Sequence, residues 1–305
     1  MSKIAFVFPG QGTQYVGMGK ELYENSELAK KEFDSIFNKL DFDLKDIMFN
    51  GPESALKETK NTQPAIVAMS LVLDKLVREK GINPDFVAGH SVGEYAAIGA
   101  AGFLTTDEVV ALTCARGKFM NEVATSLNGG MAAIIGLDSD KIEEVLKEVE
   151  GTVEAVNFNE PKQTVIAGEM EAIEKACEAL KAAGARRAMP LAVSGPFHSS
   201  LMKPAGEKLK EEAEKYSFKN SSTPLLANTT ATIITTPEEI KEEIFAQSFG
   251  PVKWVSTIEK LKAEGVTEIY EIGPGKVLSG LIKKIDKDIV VKNIEKLEDL
   301  ENLNQ

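Results

Sequence analysis

The sequence predicts an α/β fold, a wound sheet carrying a smaller β-α-β-β-α-β unit inserted near its middle. Three observations predict it. Short apolar runs alternate with helical patterns along the first hundred residues, as strands and helices do when wound into one sheet. The middle of the chain changes to the order strand, helix, strand, strand, helix, strand, which is the ferredoxin-like unit. Breaks at Gly129-Gly130 and Ser194-Gly195-Pro196 bound that stretch on either side. Residues 1–127 and 195–305 are thereby assigned to the large domain and residues 128–194 to the small subdomain.

Each element has its own reason. Residues 3–8 are an apolar run met at once by Gly10 and Gly12, so they read as a buried strand rather than a targeting segment that begins at Met1. Residues 15–40 are helix-rich. Between residues 62 and 80, Ile66, Met69, Leu73, Leu76 and Val77 recur at spacings of three and four, an amphipathic helix. Residues 85–90 read as a short strand and 92–101 as an alanine-rich helix. In the small unit, strands are expected over 131–136, 152–157, 163–168 and 185–193, with a turn at Asn159-Glu160-Pro161. Its helices fall over 139–149, with Ile142, Val145, Leu146 and Val149 on one face, and over 170–183. Beyond it, helices are expected over 201–215, 237–247 (proline in the first turn) and 252–264. Strands fall over 224–228, 266–272 and 288–294. Gly273-Pro274-Gly275 opens a helix that ends near Lys284, and residues 295–305 form an acidic helical tail without chemistry.

Composition bounds the function. A length of 305 residues with 43% hydrophobic and 27% charged residues is that of an ordinary globular chain. No segment reaches the roughly 18 to 20 apolar residues of a membrane span, so a cytoplasmic protein with no membrane partner is expected. A net charge of −12 argues against nucleic acid as a partner, because phosphates are met by a basic face. The pairs Arg186-Arg187 and Lys283-Lys284 are either local patches for an acidic partner or solvated surface. Cys114 and Cys177 have no C-x-x-C spacing and read as small buried hydrophobes.

Gly89-His90-Ser91-Val92-Gly93 carries the strongest chemical signal. It is a G-x-S-x-G pattern between a predicted strand and a predicted helix, where a tight turn lifts a serine hydroxyl to the N-terminus of the helix. Such a serine needs a general base. The chain has only two histidines, and His90 stands beside Ser91 on the turn, facing elsewhere. His198, on the loop Ser194-Gly195-Pro196-Phe197-His198, is the partner that remains. Pro9-Gly10-Gln11-Gly12 follows the first strand, and its two glycines read either as a loop that approaches a ligand closely, able to give a second oxyanion donor, or as a structural turn. Arg116 lies in an apolar helical stretch, where its fork must bind a carboxylate in a cleft or form a structural ion pair.

These motifs, with Glu94, Gln247 ahead of Pro251-Val252-Lys253-Trp254, and Glu271-Ile272-Gly273-Pro274-Gly275-Lys276, occur in the order found in malonyl-CoA:acyl-carrier-protein transacylases, which the chain resembles over essentially its whole length. The resemblance implies an α/β-hydrolase-like domain with a ferredoxin-like insertion. It implies that malonyl-CoA esterifies Ser91 and that acyl carrier protein then takes the malonyl group, in fatty-acid biosynthesis and without a metal or bound cofactor. By the same resemblance His198 is base and then acid, oriented by the backbone carbonyl of Gln247. The N–H groups of Gln11 and Val92 form the oxyanion hole, and Arg116 holds the malonyl carboxylate. Gln11, His90 and Phe197 fall at the substrate, as do Asn157 and Asn159 on a polar loop. Phe197 before His198 and Val92 after Ser91 match malonyl-selective members. Two rival readings are a hydrolase using the same Ser91 and His198, and a carrier-protein binder without catalysis.

Overall fold

Strands buried on both faces need a covering layer on each side, and β1 (Lys3–Phe8) meets that need residue by residue. Phe6 and Phe8 enter one core cluster while Ala5 and Val7 enter another across the sheet, the alternation expected of a strand. The computed structural model describes residues 2–304. Met1 and Gln305, which close the N-terminal and tail readings, lie outside them.

After β1 come α1 (Lys20–Asn25), α2 (Glu27–Phe37), α3 (Leu44–Asn50), α4 (Glu53–Lys57) and α5 (Thr59–Glu79). Then follow β2 (Phe86–Gly89), α6 (Gly93–Ala101) and α7 (Thr106–Thr125). The small unit comprises β3 (Gly129–Ile135), α8 (Ser139–Leu146), β4 (Val153–Glu160), β5 (Gln163–Glu169), α9 (Met170–Ala182) and β6 (Arg187–Pro190). The chain returns through α10 (Lys203–Ala213), β7 (Leu225–Leu226), β8 (Ile233–Ile234), α11 (Pro237–Gln247) and α12 (Trp254–Ala263). It ends with β9 (Val266–Ile272), α13 (Val277–Ile285), β10 (Val290–Ile294) and α14 (Leu297–Glu301).

Among the described residues the strands form two sheets. The larger has the order β10-β9-β1-β2-β7-β8, parallel from β10 to β7 with β8 antiparallel at its edge. The smaller has the order β4-β5-β3-β6 and is antiparallel, with α8 and α9 packed on it through Ile142, Ile173 and Leu180. The fold class is the one expected from the sequence.

Several boundaries differ for physical reasons. The helix expected over 62–80 begins at Thr59 and is buried on nearly every side, so its apolar stripe understates its contacts. The strand expected over 152–157 runs on to Glu160, because its pairing with β5 continues to Gln163. Asn157 and Asn159 therefore sit on a strand, not on a loop. The strand expected over 185–193 keeps only Arg187–Pro190. The short elements α3, α4 and β8 are too brief to show a period. Cys177 is buried but Cys114 is only partly so, and both are free thiols.

A backbone bridge ties the smaller sheet to the segment ahead of α12. Val252, just ahead of α12, donates to the Val156 carbonyl at 2.7 Å and accepts from Phe158 at 2.9 Å. That parallel bridge pairs Asn157 of β4 with Val252. Among the described residues no helix is long and apolar enough to cross a membrane.

Candidate active site

Ser91 occupies the turn between β2 and α6 with φ 54, in the left-handed region. For a residue with a side chain that conformation costs about 1–3 kcal/mol and persists only where its surroundings impose it. Two glycines make room: a Cβ on Gly89 would lie 2.0 Å from the Gly93 carbonyl carbon, and one on Gly93 would lie 2.1 Å from the Phe8 oxygen. Hydrogen bonds hold the turn from behind. The Ser91 N–H donates to Asn228 Oδ1 at 2.8 Å, and Asn228 Nδ2 donates to the Gly89 carbonyl at 2.6 Å. Gln247 Nε2 donates to the Ser91 carbonyl at 2.7 Å. Gly10 presses on the same turn, since its Cβ would fall 2.6 Å from the His90 oxygen. The close approach that this glycine permits is to the elbow itself.

His198 brings its Nε2 to 2.7 Å from the Ser91 hydroxyl. Its Nδ1 faces two carbonyls, Gln247 at 2.9 Å and Gly250 at 3.2 Å. Two acceptors at Nδ1 require the proton there, so Nε2 presents its lone pair to the Ser91 O–H. Burial, and next the charge of Arg116, pull the His198 pKa down to about 3, which keeps the ring neutral. His198 is also in the left-handed region, at φ 66, and its N–H donates to the Ser248 carbonyl.

Arg116 reaches the pair from α7, fully buried. Its Nη2 donates to Gln247 Oε1 at 2.8 Å and approaches the Ser91 hydroxyl at 3.4 Å. Among the described residues its Nε and Nη1 have no hydrogen-bond partner. The Tyr95 ring lies 5.1 Å from the guanidinium carbon. A buried guanidinium facing a carboxamide and a ring, with two donors unspent, lacks the carboxylate that such burial ordinarily requires.

A cavity of about 540 Å3 opens over Ser91 and His198. Gln11, His90, Asn157 and Phe197 line it. Arg116, Gln247 and Val92 do not line it and are fully buried. Asn159 does not line it either. Its Oδ1 pairs with His90 Nε2 at 2.7 Å, and the His90 ring stands edge-on to Trp254 at 5.6 Å. Asn157 leaves its Oδ1 unpartnered. Gln11 Nε2 reaches Thr59 at 3.5 Å.

Three neighbours escaped the sequence reading. Asn228 and Gly250 sit in loops whose composition signals only a turn. Gln63, 2% exposed with an unpartnered Oε1, lines the cavity beside Met120. Its one signal is a polar triplet, Asn61-Thr62-Gln63, opening an apolar helix. Glu94 stands in the motif but is turned away, inside the core. Among the described residues no group of three or more His, Cys, Asp and Glu side chains could hold a metal.

A parallel-centred α/β sheet with a serine–histidine pair at a strand-to-helix turn, and a smaller antiparallel sheet over it, defines the class as an enzyme of acyl transfer. Residues 5–296 match the acyl transferase domain family, and the chain belongs to that family. It is 47% identical over 304 residues to a malonyl CoA-acyl carrier protein transacylase of Bacillus subtilis (strain 168), covering 98% of this chain and 96% of the relative. A relative of the same description from Staphylococcus aureus (strain MRSA252) is 42% identical, covering 100% and 99%. Among solved structures, an acyl carrier protein S-malonyltransferase from Vibrio cholerae superposes with a TM-score of 0.96 at 38% identity, over 99% of this chain and 100% of that one. A malonyl-transacylase in complex with its type II PKS acyl-carrier protein gives 0.95 at 40% identity, over 99% and 98%.

Proposed function

We propose that this chain transfers the malonyl group of malonyl-CoA to the phosphopantetheine thiol of acyl carrier protein, through a malonyl ester on Ser91, in fatty-acid biosynthesis. One observation carries the reading: the buried Arg116 guanidinium, without a carboxylate of its own, stands one contact from the Ser91 hydroxyl. A serine and a histidine can handle many acyl groups. The arginine selects one that brings a carboxylate. The relatives' names carry the same two substrates.

Ser91 Oγ attacks the thioester carbonyl as His198 Nε2 takes its proton. The negative oxygen that forms is met by the N–H groups of Gln11 and Val92, neither of which donates to another group among the described residues. One such donor is typically worth about 10²- to 10³-fold in rate. The C–S bond then breaks, His198 returns the proton to the CoA sulfur, and the ester remains. In the second half-reaction the carrier thiol gives its proton to His198 and attacks the ester carbonyl, and Ser91 Oγ leaves reprotonated. Gln247 serves twice, its backbone carbonyl orienting His198 and its carboxamide holding Arg116 Nη2, which leaves Nε and Nη1 for the malonyl carboxylate. Phe197 narrows the space beside the acyl carbon, which favours malonyl over branched groups. Asn157 and His90 line the approach, with Asn159 fixing the His90 ring. The free thiols of Cys114 and Cys177 are in keeping with a cytoplasmic enzyme.

The competing reading is a hydrolase that passes the same ester to water. Labelled malonyl-CoA separates the two. The label is expected to stay on the protein until carrier thiol is added and then to move to the carrier. Release as free malonate at the same rate with or without carrier would establish hydrolysis instead.

A further inference from the structure

The steps above leave one buried pair of carboxyls without a part. Glu94 on α6 and Glu243 on α11 are 1% and 5% exposed, and their carboxyls face the N–H groups of two consecutive residues, Asn228 and Thr229. The groups facing them are Asn228, Thr229, Gln247, Tyr95 and Arg116, of which Arg116 alone is positive. Two carboxylates buried side by side disfavour each other's charge, so such a pair holds a proton more readily than either would alone. Burial accordingly raises both above the ordinary carboxylate range.

The pair grips the loop after β7 at two consecutive residues. Glu94 Oε1 accepts the Asn228 N–H at 2.8 Å, and Glu243 Oε1 accepts the Thr229 N–H at 2.9 Å. Glu243 Oε2 also accepts the Thr229 hydroxyl. Asn228, held in this way, spends both ends of its carboxamide on the elbow: Oδ1 takes the Ser91 N–H, and Nδ2 donates to the Gly89 carbonyl. Gln247 Nε2 approaches the same Oδ1 at 3.5 Å. A continuous chain of hydrogen bonds therefore runs from the carboxyl pair to the strained nucleophile.

We propose that Glu94 and Glu243 share one proton and act as a positioning pair, fixing Asn228 so that Asn228 holds Ser91 in its left-handed conformation. The pair touches neither substrate nor reacting atoms. It supplies acceptors for two consecutive N–H groups of the loop and for the Thr229 hydroxyl. The inference rests on the reading of Ser91 as the residue that is acylated.

Rapid-quench acylation by malonyl-CoA and infrared difference spectroscopy on the full chain test it together. Glu243→Ala and Asn228→Ala are each expected to slow acylation at saturating malonyl-CoA by about 10²-fold, the scale of a misplaced reacting group. KM should stay within about twofold, because the acyl-binding groups are untouched. Glu243→Gln keeps an acceptor for Thr229 and a donor for Glu94, and should acylate at least about tenfold faster than the alanine variant. The wild-type minus Glu243→Gln spectrum at neutral pH should contain the C=O band of a protonated carboxylic acid. This arm needs only those two proteins and holds if the alanine variant does not fold. An acylated wild type with no such band, or with glutamine and alanine variants equally slow, overturns the pair alone. A wild type that takes up no malonyl group overturns the Ser91 reading and the pair with it.

Discussion

Arg116→Ala is expected to lower malonyl transfer by roughly 10²- to 10⁴-fold, the scale of about 3–5 kcal/mol for removing one partner of a buried ion pair. Acetyl transfer should survive or rise. The asymmetry follows from what the guanidinium faces. In the free chain it makes one good hydrogen bond, to Gln247, and leaves two donors unspent. An acetyl group offers those donors nothing, so with acetyl-CoA the buried cation is a pure cost, which the alanine variant removes. A malonyl carboxylate takes them in the fork geometry to which arginine is suited. Rates with malonyl-CoA and acetyl-CoA, measured side by side, check this. Equal losses for both would remove Arg116 from the carboxylate role.

His198→Ala should slow the acylation of Ser91 by about 10²- to 10⁴-fold, the usual contribution of a positioned general base. The wild-type pH dependence carries a sharper signature. Burial and Arg116 hold the His198 pKa at about 3, below the roughly 6.5 of a free imidazole. The free enzyme therefore keeps its base neutral through the mildly acid range, and kcat/KM should show no acid limb near pH 6.5. A bound malonyl carboxylate cancels part of the Arg116 charge, so the acid limb of kcat should lie at higher pH than that of kcat/KM. Stability follows the same sign. The unfolded chain binds a proton at this position below about pH 6.5 and the folded chain does not, so this contribution is full above that pH and is lost as pH falls toward 3. Coincident limbs near 6.5 would contradict the neutral, buried base.

Much of this site was legible in the sequence because its parts are local. Gly89 to Gly93 is one turn, and its glycines are required by backbone contacts at 2.0 and 2.1 Å. His198 was found by elimination, since the chain has only two histidines. Arg116 stood out as a charge in an apolar stretch. The groups that hold these residues were not legible. Asn228 follows β7, 137 positions from the N–H it receives, and Glu243 acts through the adjoining Thr229. Such partners carry no period and no spacing, and only the crossing of β7 beside β2 brings them to the elbow. Asn157 and Asn159 show the same limit. Residues read as one polar loop lie on a single strand, one lining the cavity and the other pinning His90.

The central claim is that Ser91 carries the acyl group between two thiols. Intact-mass measurement after brief mixing with malonyl-CoA tests it most directly. The wild-type chain is expected to gain one malonyl group, to lose it when the carrier thiol is added, and to gain nothing as Ser91→Ala. A malonyl adduct of equal yield on Ser91→Ala would contradict the account.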